Sequence, residues 1–183
     1  MPINGLVVMT PTSVAKTGTG STATINANGS VTFSSCATLQ LNGIFNSTYD
    51  NYMISTRIVG SNGNDALYLR FASGGTVTTD SNYTFQYVAA LSTSVVGGRF
   101  GSQSAARVGN TDNSQRDGDT VFIFGPNLSQ PTALRNVNTY GFGNAGIVDF
   151  ASTHSTASSY DGIWLQSGAG TFTGLLTVFG FNQ

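Results

Sequence analysis

From Val31 onward, apolar and polar residues alternate with a period of two in one short run after another. In "YMISTRIVG" (52–60), Tyr52, Ile54, Thr56 and Ile58 fall on one side, and Met53, Ser55, Arg57 and Val59 on the other. In "ALYLRF" (66–71), Leu67, Leu69 and Phe71 point one way and Tyr68 and Arg70 the other. Successive side chains of a strand face opposite sides, so this pattern predicts strands with one buried face. The intervening "SNGND" is a strong turn signal, and it predicts that the two runs pair as a hairpin.

The same reading extends along the chain. "VTFSS" leads into "CATLQLNGIF", where Leu39 and Leu41 share a face. "YTFQYVAAL" alternates Tyr83, Phe85 and Tyr87 after the loop "GGTVTTDSN". "TVFIFG" is nearly all apolar, which suits the centre of a sandwich. "NTYGFG", "GIVDF", "DGIWLQS" and "TFTGLLTVFGF" complete the series. Short strands at this spacing, separated by turns, predict an all-β antiparallel sandwich or jelly roll over residues 31–183. No segment combines helical periodicity with caps, although "TALRNV" is expected to manage one turn. Residues 97–119 show no sustained period and are expected as a long loop, of the kind that is functional or disordered in a compact domain. Residues 1–30 are small, polar and Gly-rich. They are read either as a flexible leader or as an extended arm that orders against a neighbour, and the apolar "GLVVM" favours the arm.

Composition sharpens this picture. Charged residues make up only 8% of the 183, against roughly 25% in a typical soluble domain. All eight acids are Asp, Lys16 is the one lysine, and the straight-chain helix formers are nearly missing. A net charge of −1 is far from the basic balance that nucleic-acid binding needs. So sparse a charged surface predicts that much of it is covered in a larger assembly, or that it faces a harsh extracellular medium with hydroxyl and amide groups. No apolar run reaches the roughly 20 residues of a membrane-spanning helix, and the start lacks the basic and apolar regions of a secretory signal. The lone Cys36 excludes an internal disulfide and reads as a small buried apolar residue.

"FNSTYDNYMIS" (45–55) sets two tyrosines around an Asp-Asn pair. Asn46, Ser47 and Asn51 form turns, Asp50 can accept backbone N–H bonds, and Tyr52 starts an alternating strand. Phe45, Tyr49, Asp50 and Tyr52 are therefore expected as a structural corner of the sandwich, in preference to a sugar-gripping pocket. "LQLNGIFNSTYDNYMISTRIVGS" with "LYLRFASGG" resembles a segment of phage virion proteins, including decoration and tail-fibre proteins of phages of aquatic bacteria. Leu41, Gly43, Phe45, Tyr49, Asp50, Tyr52, Leu69, Arg70 and Ser73-Gly74 carry the likeness, together with Ile163-Trp164 and the final "TFTGLLTVFGF". It covers about half the chain and leaves residues 97–160 unmatched.

Catalytic patterns are weak. His154 is the one histidine, set among serines near Asp161, but no nucleophile-elbow pattern surrounds a serine. An exposed loop histidine is the plainer reading. Asp149 and Asp161 can be offered as a glycosidase pair, yet the sequence gives them no separation. Asp112, Asp117 and Asp119, with Asn110 and Asn113, form an oxygen-rich segment that invites Ca²⁺. The spacing is not that of an EF-hand, so a solvated loop offset by Arg116 is favoured. Arg99, Arg107 and Arg116 share the same stretch and are candidate partner contacts. The four N-x-S/T sequons, at Asn28, Asn46, Asn82 and Asn127, are expected by chance in this composition.

The resemblance implies a non-enzymatic virion structural protein without cofactors, decorating or cementing the capsid. Its expected partners are copies of itself, with a homotrimer suggested by analogy, and the major capsid protein or other virion proteins. The alternative is a tail- or fibre-associated module that recognises host glycan through Tyr68, Tyr140, Tyr160 or Trp164.

Overall fold

The computed structural model describes residues 5–63, 65–91, 93–140 and 146–182. The chain is all-β, with two antiparallel sheets packed as a sandwich. The strands are β1 (Val7–Val8), β2 (Ser13–Thr17), β3 (Thr22–Ile25), β4 (Val31–Cys36), β5 (Thr38–Asn42), β6 (Asn51–Gly60), β7 (Asp65–Ser73) and β8 (Thr76–Val77). They continue as β9 (Tyr83–Leu91), β10 (Ser94–Gln103), β11 (Ala106–Thr111), β12 (Asp117–Phe124), β13 (Gln130–Tyr140), β14 (Gly146–Ser158), β15 (Gly162–Ser167) and β16 (Phe172–Phe181). The large sheet runs β10-β9-β14-β13-β12-β6-β16-β4-β3, with β1 added to β16. The small sheet runs β11-β7-β15-β5-β2, with β8 added to β7.

The alternating runs place their apolar halves inward as their period dictates. Tyr52, Ile54, Thr56 and Ile58 are buried, as are Leu67, Leu69 and Phe71 on the facing sheet. Leu39, Leu41, Ile163 and Leu165 extend that layer, and Val31, Phe33, Phe172, Leu176 and Val178 close it from the large sheet. Cys36 is fully buried, with its thiol directed at the Thr22 and Ser34 carbonyls. Burial pushes its pKa up, and Lys16 and Ser34 offset only part of that. "TVFIFG" does lie inside the large sheet, between β13 and β6.

Three expectations fail. β6 and β7 do not pair: β6 lies between β12 and β16, β7 between β11 and β15, so the turn crosses from one sheet to the other. Both strands bury a full apolar face, which two facing sheets satisfy as well as a hairpin does. "TALRNV" forms no helical turn but the middle of β13, where Thr132, Leu134 and Asn136 alternate inward. Residues 97–119 are not a loop. They supply most of β10, all of β11 and the start of β12, leaving only Ser104 and Ala105 and a short turn near 112–116 outside the strands. Their period was hidden because the inward positions of β11 and β12 include Asn110, Asp117 and Asp119 rather than apolar residues.

The opening segment pairs within its own chain. β1 joins β16, β2 joins β5 and β3 joins β4, so residues 5–30 line edges of both sheets. Of the expected "NTYGFG" strand, Asn138, Thr139 and Tyr140 end β13; residues 141–143 lie outside the described residues.

Candidate functional site

At the corner, Tyr52 leads β6 into the interior and is fully buried. Its hydroxyl accepts the Asn46 N–H at 2.8 Å, and its own hydrogen faces the carbonyls of Asn46 (2.8 Å) and Tyr49 (3.1 Å). Burial raises the phenol pKa above its usual value, against the hydrogen bond at Asn46. Phe45 packs on the Tyr52 ring with centroids 4.6 Å apart. Tyr49 lies against Gly180: a Cβ there would sit 2.5 Å from the Tyr49 ring, so only glycine fits. Asp50 is exposed, and its described bonds run through the backbone. Its N–H donates to Asn182 Oδ1 at 3.0 Å and its C=O accepts from Gly125 N–H at 2.9 Å. The turn is capped instead by Asn46 Oδ1, which accepts the Thr48 N–H at 2.9 Å.

A polar strip divides the interior of the sandwich. Asp119, on β12, is buried between the sheets. Its carboxylate accepts from Thr56 Oγ1 at 2.9 Å and Asn138 Nδ2 at 2.6 Å. Gly109 of β11 comes so close that a Cβ there would lie 2.3 Å from Asp119 Oδ1. Burial, joined by the nearby charge of Asp117, raises the Asp119 pKa to about 7 despite these hydrogen bonds. Asn110, Asp117, Asn136 and Asn138 are buried alongside. The carboxylates read as a solvated, Ca²⁺-inviting loop therefore have separate tasks inside the fold. Asp112 caps the 112–116 turn, accepting the Ser114 and Gln115 N–H groups at 2.7 and 3.2 Å. Among the described residues, no group of three or more His, Cys, Asp or Glu is placed to hold a metal ion.

His154 is not on an exposed loop. It points inward from β14 with no solvent exposure, Nε2 at 3.0 Å from Asp80 Oδ1 and Nδ1 at 3.1 Å from the Tyr160 hydroxyl. Phe71, Tyr83 and Tyr160 enclose its ring. The period-two run "DFASTHSTAS" could have revealed this, since it places Phe150, Ser152 and His154 on one face. Burial works against charge on Asp80, but hydrogen bonds from His154, Thr156 and Asn82 outweigh it and hold the carboxyl below its usual pKa. The partner of His154 is thus Asp80, not Asp161. Asp161 accepts the Gly74 N–H at 3.2 Å, while Asp149 lies on the outer face of β14, bound to Arg135 through Nε at 2.6 Å.

The three arginines are separated. Arg99 is exposed on β10 and Arg116 in the 112–116 turn. Arg107 is half-buried, donating to Asn110 Oδ1 at 2.7 Å with its guanidinium 5.4 Å from the Phe150 ring centroid. Of the aromatics weighed for glycan contact, Tyr160 is buried, Tyr68 and Trp164 are half-buried on the outer face of the small sheet, and the side chain of Tyr140 lies outside the described residues.

Sequence reasoning missed an apolar patch on the outer face of the large sheet. Val88 (49% exposed), Val137 (49%), Ile147 (62%) and Val95 (72%) all project there. Their register brings them together: Ile147 and Val95 both pair with Ala90, and Val137 and Val88 both pair with Asp149. Directly paired residues share a face, so the four apolar side chains lie on one face across β13, β14, β9 and β10, with Asp149, bound to Arg135, between Val137 and Val88. β10 is also the last strand of the sheet, and among the described residues no further strand pairs with its outer side.

No family model matches the chain, and no curated protein matches it. Solved structures similar to it include the CBM22-1–GH10 modules of xylanase 10B from Clostridium thermocellum, crystallised with xylohexaose. The identity is 11% and the TM-score 0.23, over 95% of this chain and 27% of that one, so this chain spans about a quarter of its length. A laminarinase catalytic domain from Thermotoga petrophila gives 11% and 0.27, covering 97% and 78% of the two chains. The carbohydrate-binding module CBM35 from Paenibacillus barcinonensis gives 12% and 0.18, covering 86% and 98%.

Proposed function

We propose that this chain is a non-enzymatic structural protein of a phage virion that acts by association, decorating or cementing the capsid surface. The observation that carries the reading is the outer-face patch of Val88, Val95, Val137 and Ile147 beside the edge strand β10. Clustered exposed apolar residues cost solubility unless a partner covers them. An 8% charged fraction adds little repulsion to oppose such contacts. The resemblance of residues 39–59 and of the C-terminal strand to phage virion proteins supplies the setting. The partners are further copies of this chain, a homotrimer by analogy, and the major capsid protein.

Copy number per virion, measured by quantitative mass spectrometry against the major capsid protein, tests this. An abundance comparable with the capsid subunit is expected. A few copies per particle would move the chain to the tail or a vertex, and would favour the second reading, a module that takes host glycan. The aromatic and arginine side chains on the outer face of the small sheet support that reading.

A further inference from the structure

The outer face of the small sheet gathers side chains of a different kind from the apolar patch. β7 and β15 bury Leu67, Leu69, Phe71, Ile163 and Leu165, so Tyr68, Arg70, Trp164 and Gln166 project outward. Register sets Trp164 opposite Arg70 and Gln166 opposite Tyr68. Beside them lies a depression of about 180 Å³, lined by Tyr68, Arg70, Gln103, Ser104, Ala105 and Gln166. None of these lining residues is acidic.

Arg70 is held ready rather than neutralised. Its guanidinium lies 5.0 Å from the Trp164 ring centroid, a distance at which the ring quadrupole attracts a cation. Nη2 donates to Ser104 Oγ at 3.2 Å, while Nε is buried without a hydrogen-bond partner. Among the described residues no carboxylate pairs with it. Asp65, which lies near the Tyr68 ring at the Gly168 turn, is occupied by the N–H groups of Ala66 and Ala169. A planar guanidinium fixed on an aromatic face is pre-organised for bidentate capture of a carboxylate, since its fork need not be ordered on binding. The Tyr68 ring offers an apolar face, and the amides of Gln103 and Gln166 supply donors and acceptors for hydroxyl groups. A cavity of this size is smaller than the roughly 300–1000 Å³ of sites for drug-sized ligands, so it holds about one ring.

We propose that this face is a binding site for an acidic saccharide, with Arg70 capturing the carboxylate of a uronate-type sugar, Tyr68 packing on its ring, and Gln103 and Gln166 bonding its hydroxyls. Trp164 is a positioning residue, keeping the guanidinium flat. Charge complementarity selects the ligand: the lining is cationic and amide-rich, so an acidic sugar gains a charge-assisted contact that a neutral one lacks. The site is independent of where the protein sits in a virion, so copy number and glycan binding test separate claims.

The test uses isothermal titration of the full chain with an oligogalacturonate and with a neutral oligoglucan of equal length. Binding of the uronate alone is expected, weakening as salt is added. Arg70→Gln should weaken it by at least about tenfold, the scale of one charge-assisted contact. Arg70→Lys should recover part of the loss, because charge returns without the fork. Trp164→Phe should lower affinity for the uronate, through a looser guanidinium. Thermal midpoints close to wild type for these surface variants would confirm that each is folded. No uronate binding by the wild type, equal binding of the neutral sugar, or uronate affinity unchanged in folded Arg70→Gln would overturn the proposal.

Discussion

Tyr52 shows how one hydroxyl organises a junction. Its ring is core, packed on Phe45, while its oxygen ties Asn46 to the start of β6 across six residues. Tyr52→Phe retains the ring and removes only the polar contacts, leaving the Asn46 N–H and C=O without that partner. A loss of about 1–3 kcal/mol is expected, the cost of unmaking a buried hydrogen bond. Urea denaturation would read it, and a midpoint equal to wild type would show the corner to be held by packing alone. Tyr52 and its neighbours were legible because turn formers and an alternating strand meet there. Asp50 misled because a carboxylate beside a turn suggests a cap, whereas it is the Asn46 amide oxygen, just ahead of the turn, that accepts the Thr48 N–H. His154 misled for a related reason. Serine and threonine neighbours suggest a loop, but in a strand every second one faces solvent, and the histidine faces inward.

At the level of elements, period two identified strands wherever the buried face was apolar, as in β6, β7 and β15. It failed in β11 and the start of β12, where buried positions are polar, and in β10, which is exposed along almost its whole length. Pairing was less legible than strand existence. A turn signal between two alternating runs specifies a reversal of direction, and the chain used that reversal to change sheets. The apolar patch could not be read at all from local sequence, since it needs the register of four strands. That register also makes it testable. Val95→Asp combined with Ile147→Asp places charges at two exposed sites, where the effect on the fold itself should stay within about 0.5 kcal/mol. Sedimentation velocity should show wild-type protein as an oligomer and the double variant shifted toward monomer. Identical sedimentation of the two proteins would remove this patch from the association surface.

Across the whole molecule, the interior is unequally provisioned. One part is close-packed around Phe33, Phe71, Leu39 and Ile54, and the other is threaded by Asp119, Asn136, Asn138 and Thr56. The polar part makes global stability depend on pH in an unusual direction. Below about pH 4, Asp119 is protonated in both the folded and unfolded chain and contributes no pH dependence. Between there and its folded value of about 7, the native protein retains a proton that the unfolded chain has released, so stability falls as pH rises. The difference from the ordinary value of 3.8 corresponds to about 4 kcal/mol once the native carboxyl is ionised. Asp80 acts in the opposite sense: its lowered pKa stabilises the fold above the unfolded value, and this is lost as acid protonates it. Together they place the optimum in mildly acidic solution. Asp119→Asn keeps the shape and stays neutral, and the Thr56 hydroxyl can turn to accept from the new amide. Urea midpoints measured from about pH 4 to about pH 8 should fall for wild type and stay nearly flat for Asp119→Asn, with the two proteins alike at the acidic end. A wild-type stability that rises toward pH 8 would mean that Asp119 is ionised at little cost, and that the strip around it is better solvated than its burial indicates.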